Sequence, residues 1–153
     1  MKTNHSARSL DTSVLHLLHR AGQQAEIMFM KEVDAETDLT PRQYAVLLAV
    51  AQNEDISQTG LVTTTGIDRS TLADVVRRLV ERGFLQRRRT RADARMYAVR
   101  ISAKGRQVLD AAHPAASRAD DSITSMLSAR QRSDLIETLA EIVRSLDQIA
   151  AAA

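Results

Sequence analysis

From Leu10 the apolar positions Leu10, Val14, Leu17, Leu18, Ala21, Ala25, Met28 and Phe29 step by three and four residues, the spacing that lays one stripe along a helix. A first helix is predicted from about Asp11 to Val33, followed by an acidic link at Asp34, Glu36 and Asp38. Thr40-Pro41-Arg42-Gln43 then offers a Thr N-cap, Pro at the first helical position and Gln closing a capping box. The second helix, Pro41 to about Gln52, is nearly all apolar after Gln43, which predicts a central place in the core. Ser57 is a good N-cap for a short third helix ending near Thr64, and Gly66 makes the turn into a fourth, about Arg69 to Arg82. The fourth has two faces: Leu72, Val75, Val76 and Leu79 on one, Ser70, Asp74, Arg77, Arg78 and Glu81 on the other. Gly83 suits the position after it, where a positive φ is needed.

The period then changes from helical to alternating. Phe84 to Arg88 and Arg95 to Ile101 are predicted as two short strands around the turn Thr90 to Ala94, with Tyr97, Val99 and Ile101 on one face and Ala98 and Arg100 on the other. Ser102 caps a fifth helix running to about Ala112. His113-Pro114 predicts a break or kink, because proline disfavours helical geometry in the residue before it. Helical pattern resumes to about Leu127, and Ser128-Ala129-Arg130-Gln131 opens a last helix with Leu135, Leu139, Ile142, Val143, Leu146 and Ile149 on one stripe. The fold class is mainly α with a small β contribution.

Charge sharpens this picture. Between Arg69 and Arg106 there are twelve basic residues against three acidic ones, a local +9 in a chain whose net charge is +2. Such a division suits a surface offered to a polyanion. The 153 residues suit one domain, and no run approaches the roughly 18 apolar residues of a membrane span. No secretory signal is apparent in Met1 to Arg8, so the cytoplasm is the expected location. Without cysteine there is no disulfide framework, thiolate metal site or thiol switch. No Gly-rich phosphate loop, His-Glu-x-x-His or Gly-x-Ser-x-Gly is present and the acidic residues are dispersed, so no catalytic residue, cofactor or enzyme activity is assigned. His16 and His19, one turn apart near Asp11 and Glu26, would be half of a zinc site; they lack a third ligand, and no metal is assigned.

Short helix, glycine turn, basic helix and basic hairpin follow the order of a winged helix-turn-helix, in which the second helix enters the major groove. Four segments carry a family resemblance: Leu39-Thr40-Pro41-Arg42-Gln43-Tyr44-Ala45-Val46-Leu47; Ser57-Gln58-Thr59-Gly60-Leu61; Ile67-Asp68-Arg69-Ser70-Thr71-Leu72; and Asp93-x-Arg95 followed by Ile101-Ser102-x-x-Gly105. In that order and spacing they resemble a MarR-type bacterial transcriptional regulator over nearly the whole chain. Two departures are visible, Ile101-Ser102 where the family usually has Leu-Thr, and Ala94 where a second arginine is frequent.

The resemblance implies one domain, 1–153, acting as a homodimer, with dimerisation helices at 10–33 and 103–150 and a DNA-binding lobe at 40–102. The long apolar stripes of the first and last helices support a dimer independently, since they exceed what one small lobe covers. Ser70, Asp74, Arg77 and Arg78 face outward from the fourth helix, and the arginines suit guanine O6 and N7. Asp74 suits either a cytosine amine or the orienting of a neighbouring arginine. Ser57, Gln58 and Thr64 sit where short polar groups hold phosphate, and Arg69 and Thr71 join them at the start of the fourth helix. On the hairpin, Arg87, Arg89 and Arg91 are expected on phosphates; the family pattern implies Arg95 in the minor groove, fixed by Asp93.

Taken alone, an arginine run is more often a solvated surface than a nucleic-acid site; its place after a helix-turn-helix reverses that. Met28, Phe29 and Met30 are read as core rather than ligand pocket. Tyr44 is read as a core tyrosine whose hydroxyl needs a partner, protein or ligand. Family members often answer to small aromatic acids, phenols or their coenzyme A thioesters, and Leu17 to Gln24 resembles a branch tied to aromatic-compound breakdown. For such an effector the polar groups expected nearby are His19, Arg20, Gln23, Arg42 and Tyr44. The expected function is a ligand-released repressor on a pseudo-palindromic operator of double-stranded DNA. The alternative is an architectural DNA-binding protein without an effector.

Overall fold

Thr40 and Gln43 show how local chemistry fixes the elements. In the computed structural model the Thr40 amide donates to Gln43 Oε1 at 3.0 Å and the Gln43 amide donates to Thr40 Oγ1 at 3.2 Å, closing the predicted capping box. The structure describes residues 9–33, 37–89 and 97–152. After a 3-10 turn at Leu10–Thr12 come α1 (Val14–Glu32), α2 (Pro41–Gln52), β1 (Ile56–Ser57), α3 (Gln58–Thr65), α4 (Arg69–Glu81), β2 (Leu85–Arg89), β3 (Tyr97–Ile101), α5 (Ala103–Thr124) and α6 (Ala129–Ala152). Thr40→Ala should lower stability by about 1 kcal/mol, read as a shifted urea midpoint with an unchanged slope.

The chain forms two compact units, Met1–Ala119 and Asp120–Ala153. In the first, α2 is central, contributing Val46, Leu47, Ala49 and Val50 to the core. Leu39, Leu61 of α3, Leu72, Val75, Val76 and Leu79 of α4, Phe84, Leu85, Val99, Leu109 and Ala112 complete it. The sheet is antiparallel in the order β1-β3-β2, with Ile56 opposite Val99 and Leu85 opposite Ile101. At the end of α4 the Gly83 amide bonds Val80 O and the Phe84 amide bonds Leu79 O, a closure that the positive φ of Gly83 permits. Ser102 fastens the start of α5 to the turn between α4 and β2: its amide donates to Phe84 O at 2.9 Å, its hydroxyl donates to Gly83 O, and the Gly105 amide donates to its Oγ. Gly105 lies so close to Phe84 that a Cβ there would fall 2.1 Å from the Phe84 carbonyl oxygen.

Four expectations are corrected. The first helix begins at Val14 rather than Asp11, because Ser13 takes an extended conformation, ends the 3-10 turn and accepts from the His16 amide as N-cap. The helix does not break at His113-Pro114: α5 continues through Pro114, where buried Ala112, Ala115 and Ala119 pack on either side of the missing donor. Packing outweighs one lost backbone bond. β1 is additional to the two expected strands; two residues have no period of their own, and pairing with β3 defines them. On β3 the alternation is also different, with Ala98 and Val99 both buried and Tyr97 exposed, since this central strand is flanked on both edges and Ala98 lies between Ser57 and Arg88.

The second unit holds the end of α5 and all of α6. Ser128 and Gln131 close the second capping box, and Arg132 donates to Asp121 at 2.9 Å. Not one side chain of α6 is buried in the single chain, although its stripe carries Leu135, Leu139, Val143, Leu146 and Ile149. On α1 only Phe29 is buried, with Leu10, Val14, Leu17 and Leu18 of the same run exposed. Among the described residues no helix is long and apolar enough to cross a membrane.

Candidate nucleic-acid interface

Gly66, left-handed at φ 67°, turns the chain from α3 into α4. Asp68 caps α4, its Oδ1 accepting from the Thr71 amide at 3.0 Å and from the Ser70 hydroxyl at 2.7 Å. Leu72, Val75, Val76 and Leu79 bury one face, which leaves Ser70, Asp74, Arg77, Arg78 and Glu81 on the opposite one. Arg77 donates from one terminal nitrogen to Asp74 at 2.5 Å and from the other to Glu81 at 2.7 Å, while Arg78 Nε pairs with Asp74 Oδ2 at 2.8 Å. The arginine bonds hold the Asp74 carboxyl below the usual carboxylate range.

The other candidate residues on α3 and α4 divide by how far their polar atoms are already used. The Ser57 hydroxyl accepts from the Gly60 amide at 3.0 Å as the cap of α3, and Gln58 beside it is half-buried. Thr64 and Arg69 are exposed, Thr71 is half-buried and the Ser70 hydroxyl is spent on Asp68. On β2 only Leu85 is buried; Arg87, Arg88 and Arg89 are exposed and have no carboxylate ion pair among the described residues. Arg91, Asp93 and Arg95 lie outside the described residues. The structure therefore brings the α3, α4 and β2 candidates into one unit and adds two that sequence reasoning missed. Arg88 continues the exposed run between Arg87 and Arg89, and Glu81 grips Arg77, a role its i, i+4 spacing signalled.

A bidentate bond fixes the foot of the hairpin. Arg100 Nε and a terminal nitrogen each donate to Asp55 at 2.5 Å, joining the turn before β1 to the C-terminal end of β3. That bond lowers the pKa of Asp55, and bonds from Thr71 and Ser70 lower that of Asp68. A carboxylate whose folded pKa is depressed contributes stability above its unfolded pKa, about 3.9, and loses it as pH falls through the lower folded value. The urea midpoint should thus hold steady from pH 7 to 5 and fall below about pH 4. Asp68→Asn, which keeps an acceptor for the cap but does not titrate, should flatten that fall; an identical decline would remove Asp68 from the account.

The five residues expected around an effector lie on α1 and α2. His19, Arg20 and Gln23 are exposed on α1, Arg42 is exposed in the first turn of α2, and Tyr44 is half-buried. Gln23 lines an open hollow of about 670 Å³ with Gln24, Glu26, Ile27, Met30 and Lys31. Tyr44 packs its ring 5.4 Å from that of Phe29, and its hydroxyl lies 2.8 Å from His113 Nδ1. That partner is protein. His113 escapes sequence reasoning because the proline after it marks a helix end, whereas the intact α5 turns its imidazole to α2.

Comparison with known proteins agrees with this geometry. Residues 37–96, which span α2 to the hairpin, match the sequence profile described as "MarR family". The transcriptional regulator HosA of Escherichia coli is 31% identical over 138 residues, covering 90% of this chain and 97% of HosA. Among solved structures, the repressor CouR bound to a 23-mer DNA duplex superposes with a TM-score of 0.80 at 32% identity, covering 88% of this chain and 94% of that one. Bordetella bronchiseptica BpsR, whose DNA binding is regulated by 6-hydroxynicotinic acid, gives 0.83 at 27% identity, covering 88% and 96%.

Proposed function

The chain belongs to the MarR family of transcriptional regulators, and from that premise we propose that it is a homodimeric repressor which binds a pseudo-palindromic DNA site and is released by a small aromatic acid or its coenzyme A thioester. The observation that carries the DNA half of this reading is α4: a helix turned outward after a glycine corner, with two arginines at its centre and the exposed arginines of β2 beside it. In this reading α4 lies in the major groove, and Arg77 and Arg78 address guanine edges. Arg87, Arg88 and Arg89 hold phosphate, as do Gln58, Thr64 and Arg69, while the Ser57, Ser70 and Thr71 region supports the corner. Arg91 and Arg95, with Asp93, complete the hairpin's part. CouR, similar to this chain and caught on DNA, supports the assignment. The similarity to HosA and BpsR supports a regulator rather than an enzyme.

Selection of bound duplexes from a random pool, followed by anisotropy titrations over a salt series, tests the DNA reading. The enriched duplex should bind about a thousandfold more tightly than random DNA, and inserting 5 bp between its half-sites should place one lobe on the wrong face of the duplex. Equal affinity for the three duplexes would overturn specific dimeric recognition and favour an architectural protein. Arg77→Ala is expected to weaken the selected site roughly ten- to hundredfold and random DNA much less. A uniform loss would make Arg77 a phosphate contact.

The effector reading rests on BpsR and on the polar groups His19, Arg20, Gln23, Arg42 and Tyr44. A thermal-shift screen of aromatic acids and acyl-coenzyme A compounds should yield a ligand that raises Tm, because binding only the folded form must stabilise it. With that ligand in hand, Arg20→Ala should weaken its binding in calorimetry while leaving ligand-free affinity for DNA nearly unchanged. Loss of both together would give Arg20 a structural role.

A further inference from the structure

The outward face of α4 carries an ion-pair network that its fold does not require. Both oxygens of Asp74 are occupied, one by Arg77 and the other by Arg78, and Glu81 takes the remaining terminal nitrogen of Arg77. All four side chains are roughly half exposed, from 46% to 61%, and exposed pairs contribute little to stability. The opposite face of the helix, fully apolar, is what holds α4 in place. The consequence is electrostatic. Two cations matched by two carboxylates leave the centre of α4 without net charge, although it lies inside the segment from Arg69 to Arg106 that carries +9. The neighbouring arginines of β2 show the contrast, since they have no carboxylate ion pair among the described residues.

We propose that Asp74 and Glu81 are specificity-determining residues: they hold Arg77 and Arg78 in an electroneutral cluster that accepts a guanine edge and rejects an arbitrary phosphate. The inference rests on the reading of α4 as the base-reading helix. A guanidinium has five N–H donors, and the two bonds that hold Arg77 leave three for O6 and N7 of a base without breaking either ion pair. A phosphate offers no such addition. It brings a full negative charge toward two carboxylates, and the Coulomb gain from each arginine is offset by repulsion from its partner. Selectivity then arises from a built-in repulsive element as well as an attractive one. The cationic hairpin supplies the general affinity that this face withholds.

The test uses the full-length protein with Asp74→Asn and Glu81→Gln, singly and together, which keep side-chain size and helix propensity. Each variant is titrated with the selected duplex and with a random duplex of equal length across a salt series. A control carrying the same added charge outside α4, Glu137→Gln with Asp147→Asn, separates charge from placement. The double α4 variant should bind random DNA about tenfold or more tightly, with the salt slope steepened by about one for each new phosphate contact, and gain less on the selected duplex. The ratio of the two affinities should fall about tenfold, while the control keeps the wild-type ratio. An unchanged ratio in the α4 variants, or an equal fall in the control, overturns the proposal. If the wild-type protein itself fails to discriminate between the duplexes, the base-reading assignment of α4 falls first, which is a different and recognisable result.

Discussion

Gly105→Ala should lower folding stability by about 3 kcal/mol, the upper end of what an overpacked site costs, enough to leave a marginally stable domain partly unfolded at 37 °C. The added methyl would lie 2.1 Å from the Phe84 carbonyl oxygen and 2.8 Å from its carbon. Neither atom belongs to a flexible side chain. The oxygen accepts the Ser102 amide at 2.9 Å, Phe84 is buried in the core, and its amide closes the end of α4, so relief requires moving α5 away from the Gly83–Phe84 turn that joins α4 to β2. Gly22 provides the comparison. It lies in α1 with nothing within 4 Å of the place a Cβ would occupy, and Gly22→Ala should stabilise by up to about 1 kcal/mol through helix propensity alone. Urea titrations of the two variants should therefore move in opposite directions. Equal midpoints for wild type and Gly105→Ala would show that α5 does not make this close approach.

Leu139→Asp combined with Ile142→Asp should abolish the dimer and, with it, stable folding. A helix of 24 residues with no buried side chain but a continuous apolar stripe is unfinished as a single-chain structure. The exposed apolar run of α1 has the same character. In the proposed dimer these stripes are covered, and two unpaired carboxylates in such an interface cost several kcal/mol. Light scattering and circular dichroism, measured on the same samples, decide the matter. A fully folded monomer of this variant, with wild-type thermal stability, would defeat the obligate-dimer reading.

What is legible in the sequence is what short-range chemistry fixes. Thr40 to Gln43 announce α2, Ser57 and Gly66 bracket α3, and the spacing of Leu72, Val75, Val76 and Leu79 by itself assigns the buried face of α4. These signals act within one or two turns of the residue that carries them. The start of α1 turns on a local cap at Ser13, whereas most of the other misses depend on distant partners. β1 is two residues long and exists because β3 pairs with it. Pro114 marks a stop in isolation, yet Ala112 and Ala115 bind that stretch of α5 to the core. Asp74 is legible as a possible partner of an arginine and Glu81 by its spacing from Arg77, but the double engagement of Asp74 needs side-chain geometry. Tyr44 visibly requires a hydrogen bond, and its partner, His113, lies 69 residues away.

Tyr44 has an optical consequence. The chain has no tryptophan and only two tyrosines, so its near-ultraviolet absorbance and intrinsic emission come almost wholly from Tyr44 and Tyr97. They occupy opposite situations: Tyr44 is half-buried with its hydroxyl on the imidazole of α5, and Tyr97 is 49% exposed on the strand that carries the hairpin. A phenol hydrogen-bonded to an imidazole and a phenol facing water differ in quantum yield and in access to a soluble quencher. Tyr97→Phe would leave a single chromophore seated where α2 meets α5, and Tyr44→Phe a single one on the hairpin. The protein thus comes with two native spectroscopic labels, one for its interior helix contact and one for its hairpin strand, separable by a single oxygen atom each.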